Sequence, residues 1–208
     1  MFKSLLVAMI ILTSSALAVA QSNDYKKFDF FGGYSYNHIN NGIGEDDIID
    51  EPKGFHGFNT SITGNVSRYV GLKFDFSGHF KSQTIPFGPL TNGLDINSRL
   101  YNFLGGVQIK DNSSGTTFKP FVHALVGAAH LRSRVDISND VCIAIVPVPC
   151  PPDFTENDTG FAGAFGGGID IRVSNRIDIR AIQIDYNPTR LFDSTQHNLR
   201  VGVGVVFH

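Results

Sequence analysis

The chain has 208 residues, of which 42% are apolar, 12% aromatic and 17% charged, and its formal net charge is −2. This composition suits one folded domain, and the small charge excludes a protein that nucleic acid attracts by bulk electrostatics. Gly (22) and Phe (18) are abundant, and Trp is absent. Beyond the N-terminus, no stretch approaches the roughly 18 unbroken apolar residues of a membrane-spanning helix. The class that remains is an all-β domain.

The first twenty residues have the pattern of a secretory signal peptide. Lys3 supplies a positive charge, residues 5–12 form an uncharged apolar run, and residues 18–20 (Ala-Val-Ala) match a small-x-small cleavage pattern. A buried helix or a membrane anchor fits less well, because the apolar run is short. We therefore predict a signal peptide over 1–20 and one domain over 21–208.

The rest of the chain contains eight runs of ten or more residues with the two-residue period of β-strands, and no convincing helical period. The runs lie near 28–38, 55–66, 69–82, 97–110, 117–134, 160–173, 176–187 and 197–208. Short polar turns follow the second, fourth and sixth runs. Long irregular stretches follow the first, third, fifth and seventh, at 39–54, 83–96, 135–159 and 188–196. This alternation is typical of an up-and-down antiparallel barrel in an outer membrane.

The third and the last runs separate apolar from polar side chains most clearly. Phe74 alternates with Lys73 and Asp75, and Val203 alternates with glycines. A soluble barrel would bury the apolar face and a membrane barrel would turn it to lipid, so periodicity alone leaves both open.

Three features favour lipid over water on the apolar face. The runs of about 12 residues match the thickness of a bilayer, and Gly and Ala line the polar face, as a narrow lumen requires. Tyrosines also lie near the strand ends, at Tyr34, Tyr36, Tyr69, Tyr101 and Tyr186. The prediction is an eight-stranded antiparallel up-and-down transmembrane β-barrel. The alternative is a secreted soluble lipocalin-like barrel, whose Gly-x-Trp motif cannot exist in this chain.

Two runs have an irregular pattern. In the seventh, Ile177 and Ile179 share a face with Gln183 and Asp185, which predicts a bulge near Ala181. In the fifth, a proline and an unbroken run of small apolar residues conceal which side chains point inward.

The C-terminus carries the most specific pattern. Arg200, Gly202, Val205 and Phe207 place a polar residue, a glycine and two apolar residues at spacings of two, three and two. With the eight runs, this end resembles that of the small eight-stranded outer-membrane barrels, the OmpA-barrel and OmpX-like class, over essentially all of residues 28–208. The resemblance implies an assembly signal read by the barrel-assembly machinery. The family usually ends on the aromatic residue, whereas His208 follows it here.

Eight charged residues would point into such a barrel. They are Lys73, Asp75, Lys110, Asp170, Arg172, Asp178, Arg180 and Arg200. Side chains fill an eight-stranded interior, and an isolated charge there would be strongly unfavourable, so the charges must pair. We predict a salt-bridged plug in which each arginine lies close to one or more of the aspartates. An ion path, or a gate switched by rearranged pairs, is the alternative.

The first and third predicted loops are acidic. The first contains Glu45, Asp46, Asp47, Asp50 and Glu51 against a single Lys53, and the third contains Asp136, Asp140, Asp153, Glu156 and Asp158. Clustered carboxylates can bind Ca²⁺, but the first loop lacks the alternate spacing and the Gly of an EF-hand. We therefore predict solvated loop charge and no metal site.

Cys142 and Cys150 are the only cysteines, and both lie in the third loop. An even pair in an exported protein indicates a disulfide, and no His or further Cys lies nearby at the spacing of zinc ligands.

Catalytic signatures are absent from the sequence. No His precedes a Ser by two residues, as in lipid-A deacylase-like barrels, and no Gly-x-Ser-x-Gly elbow occurs. We therefore predict no enzyme, no catalytic residue and no cofactor, with a membrane-embedded lipid-modifying enzyme as a further alternative. The predicted function is structural or interactive, through long acidic loops at the surface of the bacterial outer membrane, without a large pore. Outer-membrane lipid would surround a monomer, and the sequence identifies no surface partner.

Overall fold

The computed structural model describes residues 25–40, 54–85, 94–113, 115–137 and 154–208. These residues form eight strands: β1 (Phe28–Asn40), β2 (Gly54–Asn65), β3 (Val70–Ile85), β4 (Leu94–Lys110), β5 (Phe118–Ile137), β6 (Phe154–Arg172), β7 (Ile177–Leu191) and β8 (Ser194–Phe207). Each strand pairs antiparallel with the next, and β8 pairs with β1, so the sheet closes into a barrel. The predicted eight-stranded barrel is confirmed. Within the described ranges, no helix has the length and apolarity to cross a membrane.

The seam between β1 and β8 depends on a pair of glycines. Gly33 lies opposite Gly204, and a Cβ added to Gly33 would lie 2.1 Å from the carbonyl oxygen of Val203. A side chain at this position would push the two strands apart. The absence of a Cβ therefore permits the close backbone approach that closes the barrel.

The outward face of the barrel is apolar, as the alternating pattern of the sequence predicts. Phe74 is 67% exposed and Val203 is 43% exposed, whereas Lys73 and Asp75 are buried. A protein surrounded by water would not expose a continuous band of aromatic and branched side chains around its whole circumference. This face therefore suits a hydrocarbon environment.

The two ends of the barrel differ in their connections. The turn end carries the short connections at 66–69, 111–117 and 173–176, together with residue 208. The loop end carries the connections at 41–53, 86–93 and 138–153, which lie outside the described residues.

A polar contact joins two neighbouring connections at the turn end. Arg68 donates hydrogen bonds of 2.9 and 3.1 Å to the carboxylate of Asp111, and the backbone N–H of Ser113 donates another. The bonds from Arg68 hold the pKa of Asp111 well below its ordinary value.

The connection predicted as a long loop over 188–196 is instead a tight hairpin, and that prediction was wrong. β7 continues to Leu191, which pairs with Ser194 at the start of β8. The two turn residues, Phe192 and Asp193, have φ values of 50° and 56°, as a type I′ turn requires. Neither is Gly or Asn, so the usual sequence signal of this turn is missing. The carboxylate of Asp158 supports the strained Phe192 by accepting its backbone N–H at 2.5 Å.

The loop predicted over 135–159 is also shorter than expected. β5 extends to Ile137 and β6 begins at Phe154, so three of its predicted acids belong to strands. They are Asp136, Glu156 and Asp158. Asp136 pairs with Arg134 of the same strand at 2.6 Å. Cross-strand pairing thus continues into a polar segment that carries little apolar alternation.

The predicted bulge at Ala181 is confirmed. Ile182 pairs with Ile169 of β6 and Arg180 pairs with Asp170, which leaves Ala181 without a partner on β6. The extra residue turns Arg180 and Gln183 to the same, inward side of the barrel.

Candidate functional site

The barrel interior holds buried charges of both signs in equal number. Among the described residues, five carboxylates and five cations are each at most 3% exposed. They are Asp29, Asp75, Asp170, Asp178 and Asp185, with Lys73, Lys110, Lys119, Arg180 and Arg200. Buried charges are tolerated only when each has a close partner of opposite sign and further hydrogen bonds.

Lysines from two strands organise the turn end of the lumen. Lys110 of β4 contacts Asp29 of β1 and lies 3.3 Å from Asp170 of β6. Lys119 of β5 donates a 2.8 Å hydrogen bond to Asp178 of β7. These ion pairs connect strands on different sides of the barrel and fix their relative positions.

The C-terminal residue also enters the turn end. The Nδ1 of His208 lies 2.8 Å from Asp29, and its Nε2 lies 2.8 Å from Asp178. The imidazole thus bridges β1 and β7, the two strands that flank β8. Burial by itself lowers the pKa of His208, but hydrogen bonds to Asp178 and Asp29 outweigh it and raise the pKa above its ordinary value.

We expect the contribution of His208 to stability to depend on pH. Because its folded pKa is raised, the stabilisation is fully present below the unfolded pKa of 6.5 and is lost as pH rises through the folded pKa. His208→Gln should therefore lower the free energy of unfolding by about 1–2 kcal/mol at about pH 6 and by little at about pH 9. Urea unfolding in lipid vesicles at both pH values measures this. An equal loss at both would assign His208 a packing role only.

Arg180 links the turn end to the middle of the lumen. Its guanidinium donates hydrogen bonds of 2.8 and 3.1 Å to the carboxylate of Asp170. It lies between the rings of Phe31 and Phe121, 4.2 Å from each centroid. A third bond of 2.7 Å reaches the side-chain oxygen of Gln183. Cation–π contacts with both rings and hydrogen bonds at the edge stabilise this buried charge.

Arg200 of β8 joins two carboxylates in the middle of the lumen. It donates bonds of 2.7 and 3.0 Å to Asp185 of β7 and a bond of 2.8 Å to Asp75 of β3. Its remaining contact is with the hydroxyl of Ser77, at 3.2 Å. Gln183 donates to Asp185 at 2.6 Å and so connects Arg200 to Arg180.

Lys73 and His123 form a branch of the same network. The Nζ of Lys73 lies 3.3 Å from the Nδ1 of His123 and 3.9 Å from Asp75. The Nε2 of His123 lies 2.9 Å from Asp185. Both carboxylates bound by Arg200 therefore have a second basic neighbour.

Together these contacts form an unbroken polar chain inside the barrel, which we call the lumen chain. It runs through Asp29, Lys110, Asp170, Arg180, Gln183, Asp185, Arg200 and Asp75. The lumen chain occupies the interior from the turn end to the middle of β3. Its contacts join β1, β3, β4, β6, β7 and β8 across the interior and can hold these strands in register.

Apolar side chains fill part of the lumen closer to the loop end. A buried cluster on β4 to β7 comprises Leu100, Leu104, Leu125, Ala129, Ala162, Ala164 and Leu191. On the opposite side, Asn37 is fully buried and its side-chain amide has no partner among the described residues. The lumen therefore changes from charged to mixed apolar and neutral polar along its length.

One serine–histidine hydrogen bond lies in this neutral half. Ser35 and His79 are 2.9 Å apart and completely buried, and the Nδ1 of His79 has no partner among the described residues. A catalytic serine needs an accessible hydroxyl and a group that orients the histidine, and this pair has neither in the described structure. No group of three or more His, Cys, Asp or Glu side chains in the described ranges is arranged to hold a metal ion.

The structure buries seven of the eight charges predicted to face the lumen. Arg172 is the exception, because it is half-buried at the turn end, opposite Asp178. The predicted arginine–aspartate contacts occur for Arg180 with Asp170 and for Arg200 with Asp75. Asp178 instead bonds to Lys119.

Three charged members of the interior were missed by sequence reasoning. Asp29 lies beside Phe28 and Phe30, and this alternation could have revealed it. Lys119 precedes the proline that conceals the register of β5, and Asp185 follows the bulge in β7. The alternating pattern predicts direction only where the strand is regular.

The structure describes one of the two other predicted sites, the assembly signal at the C-terminus, but not the cysteine pair. Cys142 and Cys150 lie outside the described residues. In the proposed assembly signal, Arg200 and Gly202 are buried, Val205 is half-buried, and Phe207 points outward and is exposed. That the assembly machinery reads this segment stays a prediction.

Comparison with known proteins agrees with the architecture. The family model of the outer membrane protein beta-barrel domain matches residues 4–207. The chain is similar to Ail, the attachment invasion locus protein of Yersinia pestis, in complex with the heparin analogue sucrose octasulfate. That match has 16% identity, a TM-score of 0.57, and covers 86% of this chain and 97% of Ail. No curated protein sequence matches the chain.

Two further solved structures are similar to the chain. A second crystal structure of Ail from Yersinia pestis matches with 16% identity, a TM-score of 0.55, and the same coverage of 86% and 97%. OprG from Pseudomonas aeruginosa matches with 13% identity and a TM-score of 0.48, over 90% of this chain and 97% of OprG. At such identities, the similarity to Ail establishes the fold alone.

Proposed function

Because the chain belongs to the family of the outer membrane protein beta-barrel domain, we propose that it is a closed scaffold that presents loops at the cell surface. The barrel lies in the bacterial outer membrane, and its apolar outward face suits lipid. The observation that carries the proposal is the lumen chain from Asp29 to Asp75. A general porin has a wide, water-filled lumen, whereas buried ion pairs occupy this one.

The connections supply an orientation for the scaffold. In outer-membrane barrels the short turns face the periplasm and the long loops face the outside. The turn end of this barrel is therefore periplasmic, and the loop end is extracellular. Segments 41–53, 86–93 and 138–153 are then available to partners outside the cell.

The first of these segments determines the charge of the surface that we propose for binding. Residues 41–53 contain five acidic residues and one lysine. Such a surface attracts basic partners and repels polyanions. The partner that we propose is accordingly a basic protein surface, which differs in charge from the heparin analogue present in the Ail complex. A disulfide between Cys142 and Cys150 would limit the conformations of the third segment.

The closed lumen predicts a lack of porin-like conductance. The purified barrel, inserted into planar bilayers, should produce no stable single-channel steps of the size that a general porin produces in the same membrane. The reason is that Arg180 and Arg200 cross the lumen and are bonded on several sides. Regular porin-sized steps would overturn the closed-scaffold proposal.

The acidic loop predicts binding of a polycation at low salt. With the barrel in lipid nanodiscs, polylysine should bind, and combined Asp46→Asn, Asp47→Asn and Asp50→Asn changes should weaken binding on the order of tenfold. Added salt should weaken it as well, because dissolved ions screen the attraction between a polycation and carboxylates.

A carboxylate at the opposite end of the barrel supplies the matched control. Asp111→Asn removes an acidic group at the periplasmic turn and should leave polylysine binding unchanged. Equal weakening by Asp111→Asn would show that net charge, and not the loop, attracts the probe. Sucrose octasulfate binding as tight as that of polylysine would contradict the assignment of a basic partner.

A further inference from the structure

Two arginines on the outward face near the loop end have no side-chain partner among the described residues. Arg99 of β4 and Arg132 of β5 lie directly opposite each other in the antiparallel register. Both are exposed, and within the described part of the chain neither side chain makes a hydrogen bond or an ion pair. Like charges directly opposite each other destabilise a sheet. An anion bound between the two guanidinium groups would remove this repulsion.

Aromatic side chains lie next to Arg99 and Arg132 on the side of the turn end, and they indicate how deep the two arginines lie in the membrane. Tyr101 lies two residues from Arg99 toward the turn end, and its ring contacts that of Phe80 at 5.9 Å. Phe103 follows on the same face and stacks on Phe76 at 4.8 Å. Such aromatic belts lie at the boundary between hydrocarbon and headgroups. Arg99 is about 7 Å further out along the strand, at the level of the headgroups.

A polar depression lies beside the arginines on the same outer wall. It has a volume of about 400 Å³, and its lining includes Tyr36, His56, Phe80 and Ser82. Phe80 lies between the depression and the pair of arginines, because it lines the depression and lies opposite Arg99. Phenol, imidazole and hydroxyl groups in this depression can exchange hydrogen bonds with the hydroxyl groups of a sugar.

We propose that Arg99 and Arg132 bind the phosphate of a phosphorylated glycolipid in the outer leaflet of the membrane. Guanidinium groups match phosphate in geometry and form charge-assisted, bidentate hydrogen bonds with it. The acyl chains of the lipid lie along the aromatic band below, and its sugar faces the polar depression. This site is separate from the lumen chain and from the acidic loop, and it shares with the function proposed above only the orientation that places the loop end outside the cell.

The test measures lipid binding to the intact barrel by native mass spectrometry in detergent. The probe is lipid A with both phosphates, an acylated glucosamine disaccharide, and the comparison lipid is the same molecule after removal of both phosphates. Arg99→Gln and Arg132→Gln should each weaken binding of the phosphorylated form about tenfold. The dephosphorylated form should bind wild type and variants alike.

Arg190 provides the matched control. It is also exposed and its side chain has no partner among the described residues, and it lies on β7, away from β4 and β5. Arg190→Gln should leave binding unchanged. Equal weakening by Arg190→Gln, or equal binding of the dephosphorylated lipid to wild type, would overturn the proposal. Displacement of lipid A by an equal concentration of inorganic phosphate would also overturn it, because the site would then recognise a soluble anion.

Discussion

Replacing Arg200 with methionine should destabilise the barrel by about 3–5 kcal/mol. The side chain is buried, and its guanidinium is bonded to both Asp75 and Asp185. Methionine replaces the apolar stem of arginine but carries no charge, so it leaves both carboxylates buried without their main cation. The expected loss exceeds that of a surface change because these carboxylates cannot recover their hydration in the filled lumen. Urea unfolding in lipid vesicles, followed by the heat-modifiable shift in gel mobility, measures the change.

Two controls distinguish loss of charge pairing from loss of a side chain. Arg190→Met removes an exposed arginine and should change the free energy of unfolding by no more than about 0.5 kcal/mol. Adding Asp75→Asn and Asp185→Asn to Arg200→Met should recover a large part of the lost stability, because no unpaired charge then remains at this position. A loss from Arg200→Met no larger than that from Arg190→Met would contradict a stabilising role for the lumen chain.

Replacing Val203 with arginine should destabilise the barrel by about 2–4 kcal/mol. Val203 is the middle one of five outward apolar side chains on β8, which are Leu199, Val201, Val203, Val205 and Phe207. It therefore lies near the centre of the hydrocarbon region, where a guanidinium loses its water. Equilibrium unfolding in vesicles of fixed lipid composition measures the change.

The same strand offers a depth control for this prediction. Leu199 shares the outward face with Val203 and lies near Tyr186, at the level where the headgroups begin. Leu199→Arg should cost only about 0–1 kcal/mol, because its guanidinium can reach the interface. Equal costs at the two positions would contradict the depth assignment. A tolerated arginine at Val203 would contradict the contact of this face with lipid.

Regular strands made the sequence predictions accurate. On β3 the alternation of Phe74 with Lys73 and Asp75 predicted both faces, because the two-residue period of a strand is a local property of the backbone. The bulge at Ala181 was also visible, since the apolar residues change sides around it. The unfavourable burial of an isolated charge also predicted that the charges facing the lumen have partners of opposite sign.

Where a strand or a connection is irregular, the sequence did not predict the direction of the side chains or the position of the turn. Pro120 concealed the direction of its neighbour Lys119, which pairs with Asp178 in the lumen. The hairpin at Phe192 and Asp193 was missed, because its first turn residue is a phenylalanine, which seldom adopts positive φ. Cross-strand pairing and the hydrogen bond from Phe192 to Asp158 stabilise this turn, and neither is visible in the local sequence.

The sequence by itself determined the number of strands, their apolar outward face and most of the charges that point inward, because these depend on local periodicity. Only the tertiary structure decided which charges meet. Arg200 bonds to Asp75, 125 residues earlier in the chain, and His208 bonds to Asp29, 179 residues earlier. Such contacts depend on the register of every strand pair and on closure of β8 against β1. A local pattern defines the face on which a side chain lies, whereas the partner across the lumen is set by the geometry of the closed sheet.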